Sequence, residues 1–143
     1  MTVLHDRPFR SVSLERGADG APRVVKRFHH PGRLAALLDG RRAQREFAAL
    51  QTLSNAGLAV PAPLELRPIE RGWELSMQAI PEARALREFL DGALAPPEGW
   101  ARLCMRLGEL LAHLHAAGWV HGDLHAGNVL VDARGKPWLI DLQ

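Results

Sequence analysis

Three oxygen-bearing side chains late in the sequence are spaced for work on phosphate. Asp123 and Asn128 stand five residues apart in the segment His121-Gly122-Asp123-Leu124-His125-Ala126-Gly127-Asn128, and Asp141 closes the apolar run Trp138-Leu139-Ile140. Moving a phosphoryl group from ATP to a hydroxyl requires a carboxylate that orients the hydroxyl and takes its proton. It also requires oxygen ligands that hold Mg2+ across the phosphates. Asp123 suits the first task, and Asn128 with Asp141 suits the second. Two carboxylates and an amide gathered after apolar elements gain nothing from packing alone.

A cation for the phosphates is marked by composition. Of 18 basic residues two are lysines, Lys26 and Lys136, and Lys26 lies in the apolar run Val24-Val25-Lys26-Arg27-Phe28. Downstream, Ala43, Phe47, Leu50 and Leu53 recur at helical spacing, and Glu46 falls on the same stripe. A carboxylate on the buried face of a helix is costly unless a cation meets it. Lys26 and Glu46 would each neutralise the other.

The elements that must position these groups follow from pattern and punctuation. Residues 9–15 and Pro22–Phe28 read as strands joined through a turn at 16–20, where Gly17 and Gly20 supply unusual backbone angles. A helix, clearest over 41–53, ends near Asn55 and Gly57. His29-His30 fall in the preceding strand-to-helix turn. Strands at 63–70 and 72–80 form a second hairpin around Arg71-Gly72, and residues 80–84 read as a linker from a mostly β half to a mostly α half. A short helix runs from Arg84 to about Leu90. Pro96-Pro97-Glu98 opens a longer core helix with Trp100, Leu103, Leu107, Leu110, Leu111 and Leu114 in its stripe, and Gly118 stops it. Asn128–Asp132 and Pro137–Asp141 read as short strands around a turn at 132–135. His113 and His115 read as ordinary helix residues, and Trp119 and Trp138 as packing around the loop that carries Asp123.

Composition sets the outer bounds. At 143 residues, 47% apolar and 24% charged, the chain is in the ordinary globular range. Its net charge of +2, spread along the sequence, is too small for a nucleic-acid footprint. The single Cys104 has no internal partner for a disulfide and falls in an apolar helical pattern, which predicts packing and a reducing, cytoplasmic setting. No run is long and apolar enough for a membrane span, and the amino terminus lacks a signal-peptide core.

The spacing of Asp123 and Asn128 resembles the catalytic loop of the protein-kinase-like fold, with Gly122 in place of its arginine. Asp141 is similar to the metal aspartate of the Asp-Phe-Gly motif, although Leu142 and Gln143 follow it here. Val24-Val25-Lys26-Arg27-Phe28 and Arg45-Glu46-Phe47 resemble the strand lysine and helix glutamate of that fold. The runs at 25–28, 45–50 and 56–63 most resemble the lipopolysaccharide kinase (Kdo/WaaP) family over about residues 23–142.

The resemblance implies an α+β fold: a small antiparallel β N-lobe with one main helix over residues 1–80, and over 81–143 a hinge and a partial, mainly α C-lobe. It implies ATP and Mg2+ as cofactors, Asp123 as base, Lys26 on phosphate positioned by Glu46, and Asn128 and Asp141 on the metal. The backbone of Met77, Ala79 and Ile80 would meet adenine. The implied acceptor is a sugar or lipid-linked sugar hydroxyl, Kdo or heptose of the inner core, reached by peripheral contact at the inner membrane. In the resembled family His121 packs and hydrogen-bonds, and His125 reads as a loop residue.

Three departures accompany the resemblance. The turn at 16–20 lacks a G-x-G-x-x-G, Gly122 removes control through a phosphorylated activation loop, and the sequence closes two residues after Asp141, so a truncated C-lobe is expected. A non-catalytic nucleotide-binding or interaction module is the alternative of another class. A metal-dependent hydrolase built on His121, Asp123 and His125 is a third.

Overall fold

The computed structural model describes residues 2–7, 10–29 and 33–142, a mixed α+β fold. Phe9, His30 and Gln143, named above, lie outside the described residues. Two compact units emerge, one of Met1–Gln51 with Ala62–Ala79, the other of Thr52–Pro61 with Ile80–Gln143.

The first unit is a five-stranded antiparallel sheet and most of one long helix. Strands β1 (Thr2–Arg7), β2 (Arg10–Arg16), β3 (Pro22–His29), β4 (Pro63–Ile69) and β5 (Gly72–Gln78) lie in the order β1-β2-β3-β5-β4. Helix α1 (Arg33–Asn55) extends well ahead of the stretch 41–53 where its pattern is clearest. Its first turns, Leu34-Ala35-Ala36-Leu37-Leu38, are strong helix formers and carry the helix through Gly40. Gly40 has a packing reason: a Cβ there would stand 2.7 Å from the Trp73 indole nitrogen. β1 was not anticipated; it is short, and its register with β2 shifts between Val3 and His5.

At the β2–β3 turn Gly20 takes a left-handed φ of 76°, as expected. Gly17 does not. It is small for another reason, since a Cβ would meet the Arg23 side chain at 2.1 Å. One face of the sheet carries a charged network across four strands. Arg27 donates to Glu15 (2.8 Å), Ser13 (3.2 Å) and Glu74 (2.7 Å), and Arg67 donates to Glu74 (2.7 Å). The hydrogen bonds from Arg27 and Ser13 hold the Glu15 carboxyl below its usual range, and Glu15 in turn raises Arg27.

In the second unit β6 (Arg84–Ala85), β7 (Val129–Val131) and β8 (Pro137–Leu139) form a small antiparallel sheet in that order. The helix expected from Arg84 is therefore shorter, α2 (Leu86–Leu90), because Arg84 and Ala85 pair with Val131 and Leu130. Helix α3 (Trp100–Ala116) opens at Gly99, with φ of 82°, instead of at the prolines. Leu103, Leu110 and Leu114 are buried, but Trp100 is 43% exposed and leaves the expected stripe. Cys104 is exposed too, contrary to a packing role. Phe89, Leu103 and Val131 pack as one cluster, with Leu86 against it.

The β7–β8 turn is locked by one carboxylate. Asp132 accepts from the amides of Arg134 (2.9 Å) and Lys136 (3.0 Å) and from Trp138 Nε1 (3.0 Å), while Lys136 stacks on the Trp138 ring. Trp138 thus serves this turn. Burial alone would raise the Asp132 carboxyl, but the bonds from Trp138, Lys136 and Arg134 outweigh it and leave it lowered.

Two outcomes are expected. A Cβ at Gly72, whose φ is 144°, would lie 1.8 Å from the Phe28 carbonyl oxygen. Gly72→Ala should therefore destabilise by about 3 kcal/mol, read as a fall in urea midpoint. Asp132 has a folded-state pKa below its ordinary 3.8, so its contribution is full above that value and is lost as pH falls through the lower folded one. Melting temperature between pH 5 and pH 3 should fall less steeply in Asp132→Asn than in the parent chain.

Candidate functional site

The first unit brings Lys26 and Glu46 together as expected. Strand alternation turns Lys26 to the same face of β3 as the buried Phe28, and α1 presents Glu46 on the face shared by Ala43 and Leu50. Lys26 is 4% exposed and Glu46 1%, and Lys26 Nζ donates to Glu46 Oε1. A buried carboxylate with a buried ammonium in contact is the arrangement that makes either one tolerable. Glu46 Oε2 is buried without a hydrogen-bond partner among the described residues, so this side chain keeps an unmet acceptor.

The residues expected to meet adenine differ in setting. Met77 is a buried residue inside β5, paired across to Val24 and Pro63. Ala79, beyond the strand, donates its amide to the Pro22 carbonyl at 3.4 Å. The Ile80 carbonyl accepts from Ala83 at 3.4 Å, and Glu82 in that turn has a φ of 53°.

In the second unit the loop from His121 to Asn128 is tied down mainly through its backbone. His121 Nδ1 accepts the Asp123 amide (3.2 Å), which leaves Nε2 to donate to the Ile140 carbonyl (2.9 Å). Both ring nitrogens are spent on holding the loop. Asn128, buried, donates Nδ2 to the Asp123 carbonyl (2.9 Å), and the Asn128 carbonyl accepts from Ile140 (3.0 Å). Asp123 is thus gripped at its amide by His121 and at its carbonyl by Asn128, while its side chain is 71% exposed.

Asp141 follows Ile140 with a φ of 60°. This left-handed conformation is uncommon for any residue with a Cβ and costs about 1–3 kcal/mol unless the surroundings impose it. Here the preceding Ile140 is bonded at both its amide and its carbonyl, and the following Leu142 is buried. Asp tolerates the conformation better than most residues.

The donor set suits a hard cation. With the Asn128 amide nitrogen committed, its oxygen is the atom able to face a metal, and Asp141 adds a carboxylate. No three His, Cys, Asp or Glu side chains among the described residues cluster as a metal site. Mg2+ shared with phosphates and water does not require such a cluster. The hydrolase alternative does require one, and His121 is already occupied.

Sequence reasoning missed the arrangement of His125 and Gly127. His125 Nδ1 accepts the Gly127 amide (3.0 Å), and His125 Nε2 lies 3.6 Å from Asp123 Oδ2. It turns on Gly127, where a Cβ would stand 2.9 Å from the His125 ring, and a lone glycine carries no sequence signal of that contact.

Comparison with known proteins agrees with these motifs. Residues 23–143 match the lipopolysaccharide kinase (Kdo/WaaP) family. A 3-deoxy-D-manno-octulosonic acid kinase of Vibrio parahaemolyticus is 38% identical over 104 residues, which cover 70% of this chain and 42% of that protein. The enzyme of that name from Stenotrophomonas maltophilia strain R551-3 is 31% identical over 139 residues, 95% of this chain and 53% of its own length. That from Xanthomonas axonopodis pv. citri is 36% identical over 106 residues, 70% and 40%. The chain therefore spans about half or less of the length of these curated relatives. No described helix is long and apolar enough to cross a membrane. With the family matched across residues 23–143, most of its length, the chain belongs to the lipopolysaccharide kinase (Kdo/WaaP) family.

Proposed function

We propose that this chain carries the nucleotide and catalytic-loop machinery of an ATP-dependent phosphotransferase acting on a sugar hydroxyl of the lipopolysaccharide inner core, Kdo or heptose. The observation that carries the reading is the buried Lys26–Glu46 pair. A folded protein gains little from sinking an ion pair where apolar residues would serve as well. Its retention makes sense if the ammonium is held in one orientation for an anion.

In this reading Lys26 meets the α and β phosphates and Glu46 keeps it aimed. Asn128 and Asp141 hold Mg2+, which when bound neutralises charge developing on the phosphates. The backbone of the Met77–Ile80 stretch, chiefly Ala79 and Ile80 beyond the strand, meets adenine. Asp123 orients the acceptor hydroxyl and takes its proton. As the acceptor oxygen bonds to the γ phosphorus, the bond from that phosphorus to the β–γ bridging oxygen breaks and its electron pair leaves with ADP. The relatives are 3-deoxy-D-manno-octulosonic acid kinases by name, which supports Kdo as acceptor. Peripheral contact with the inner membrane, where a lipid-linked sugar would be met, belongs to the same proposal.

A second reading is a non-catalytic module in which the buried Lys26–Glu46 pair serves nucleotide binding without phosphate transfer. The two readings part on one experiment, with labelled ATP, Mg2+ and Kdo-containing lipid A precursor incubated with the chain. Transfer that disappears in Asp123→Ala, while ATP with Mg2+ still raises the melting temperature, is the expected result. A nucleotide-dependent thermal shift with no transfer selects the binding module, and no shift at all removes both.

Two substitution sets separate chemistry from stability. Lys26→Met alone should destabilise by about 3–5 kcal/mol, because it strands the buried Glu46 carboxylate, and Glu46→Leu is added to it in a double variant. The double variant should recover most of that in urea denaturation while remaining unable to transfer phosphate. Asp141→Asn, which also accepts a left-handed backbone, should abolish Mg2+-dependent turnover. Asp141→Val should lower stability as well.

A further inference from the structure

His125 lies outside the roles assigned above, yet it is the side chain that meets the Asp123 carboxylate. Three observations define its placement. Its Nδ1 accepts the Gly127 amide at 3.0 Å, so in the neutral ring the proton must sit on Nε2. That Nε2 faces Asp123 Oδ2 at 3.6 Å, too long for a direct hydrogen bond and close enough for electrostatic attraction or one bridging water. Gly127 is the residue that makes room, because a Cβ there would stand 2.9 Å from His125 Cε1 and 3.1 Å from Nδ1. An alanine there would push Cε1 away and crowd Nδ1, displacing the ring from the Gly127 amide.

The neighbouring restraints explain why such a device is needed. His121 and Asn128 hold the Asp123 amide and carbonyl, so they fix the main chain and leave χ1 and χ2 of the exposed carboxylate free to turn. A base must present one oxygen to the hydroxyl it deprotonates, and misplacement by about 1 Å can cost 10²-fold in rate. A polar N–H directed at Oδ2 biases the carboxylate toward one orientation, with Oδ1 left for the acceptor.

We propose that His125 is a positioning residue, set in a single tautomer by the Gly127 amide, that turns the Asp123 carboxylate toward the acceptor hydroxyl. The consequence for turnover rests on the phosphotransferase reading above; the tautomer and its effect on Asp123 do not.

Both parts are tested on the full chain. Nitrogen-15 spectra of the His125 ring at pH 8 should show the Nε2–H tautomer alone in the parent protein and an averaged ring in Gly127→Ala. The Asp123 side-chain carboxyl carbon resonance should move in His125→Ala and stay in place in His113→Ala, a control on exposed helix α3 surface. In the transfer assay, His125→Ala should lower kcat on the order of 10-fold with KM for ATP unchanged. His125→Gln, whose amide nitrogen can replace Nε2–H, should recover part of that loss. Gly127→Ala should also lower kcat, and in the His125→Ala background it should do nothing more, because it acts through the ring. An averaged His125 tautomer in the parent chain, or an unmoved Asp123 resonance in His125→Ala, overturns the proposal whether or not the chain transfers phosphate. Losses from His125→Ala and Gly127→Ala that simply multiply overturn it too. Absence of transfer by the parent chain, with the spectra as expected, counts against the phosphotransferase reading alone and leaves the positioning geometry supported.

Discussion

An ammonium and a carboxylate buried in one apolar interior are each prohibitive alone and acceptable only in contact. Much of the first unit can be understood from that constraint. For Lys26 to reach Glu46, β3 must keep the register that turns Lys26 inward and Arg27 out, and α1 must keep the phase that buries Glu46 with Ala43 and Leu50. A one-residue slip of β3 would turn Lys26 away from Glu46 and put Arg27 in its place. The network joining Arg27 to Glu15, Glu74 and Arg67 guards that register from the other face, since a slip would break it as well. Two neighbouring residues of one strand thus secure the same alignment from opposite sides.

The second unit reaches fixity differently. Its loop is short of apolar contacts, and Val120 and Leu124 are exposed. What holds it is a lattice of bonds among His121, Asp123, Asn128 and Ile140, most involving at least one main-chain group. The framework beneath is apolar: Val129 and Leu139, both almost fully buried, set the two strands, and the Leu139 amide bonds to the Ala59 carbonyl in the same unit. Rigid strands at either side let a polar loop be ordered without being buried.

Much of this was legible in the sequence, and the misses have physical causes. Lys26 and Glu46 stood out because each broke a local rule: a lysine in an arginine-using chain, a carboxylate on an apolar stripe. The strands of both hairpins were marked by alternation and by Gly20 and Gly72. The start of α3 was misplaced because Pro96-Pro97 is a common helix opening, whereas Gly99 at positive φ delays it. Arg84 and Ala85 became a strand through pairing with β7, more than forty residues away, which no local pattern records. Cys104 was read as packing by composition, although it follows Leu103 by one residue and so points about 100° away from it around the helix. The clasp of His125 on Gly127 depended on the absence of a side chain, and an absent Cβ announces itself only in three dimensions.

The left-handed backbone at Asp141 bears on how members of such a family decay. Asn and Gly satisfy that conformation as well as Asp does or better, so drift at this position is steered toward residues that erase the charge and keep the shape. In the role proposed for Asp141, such a change would remove the metal ligand while the backbone there kept its form.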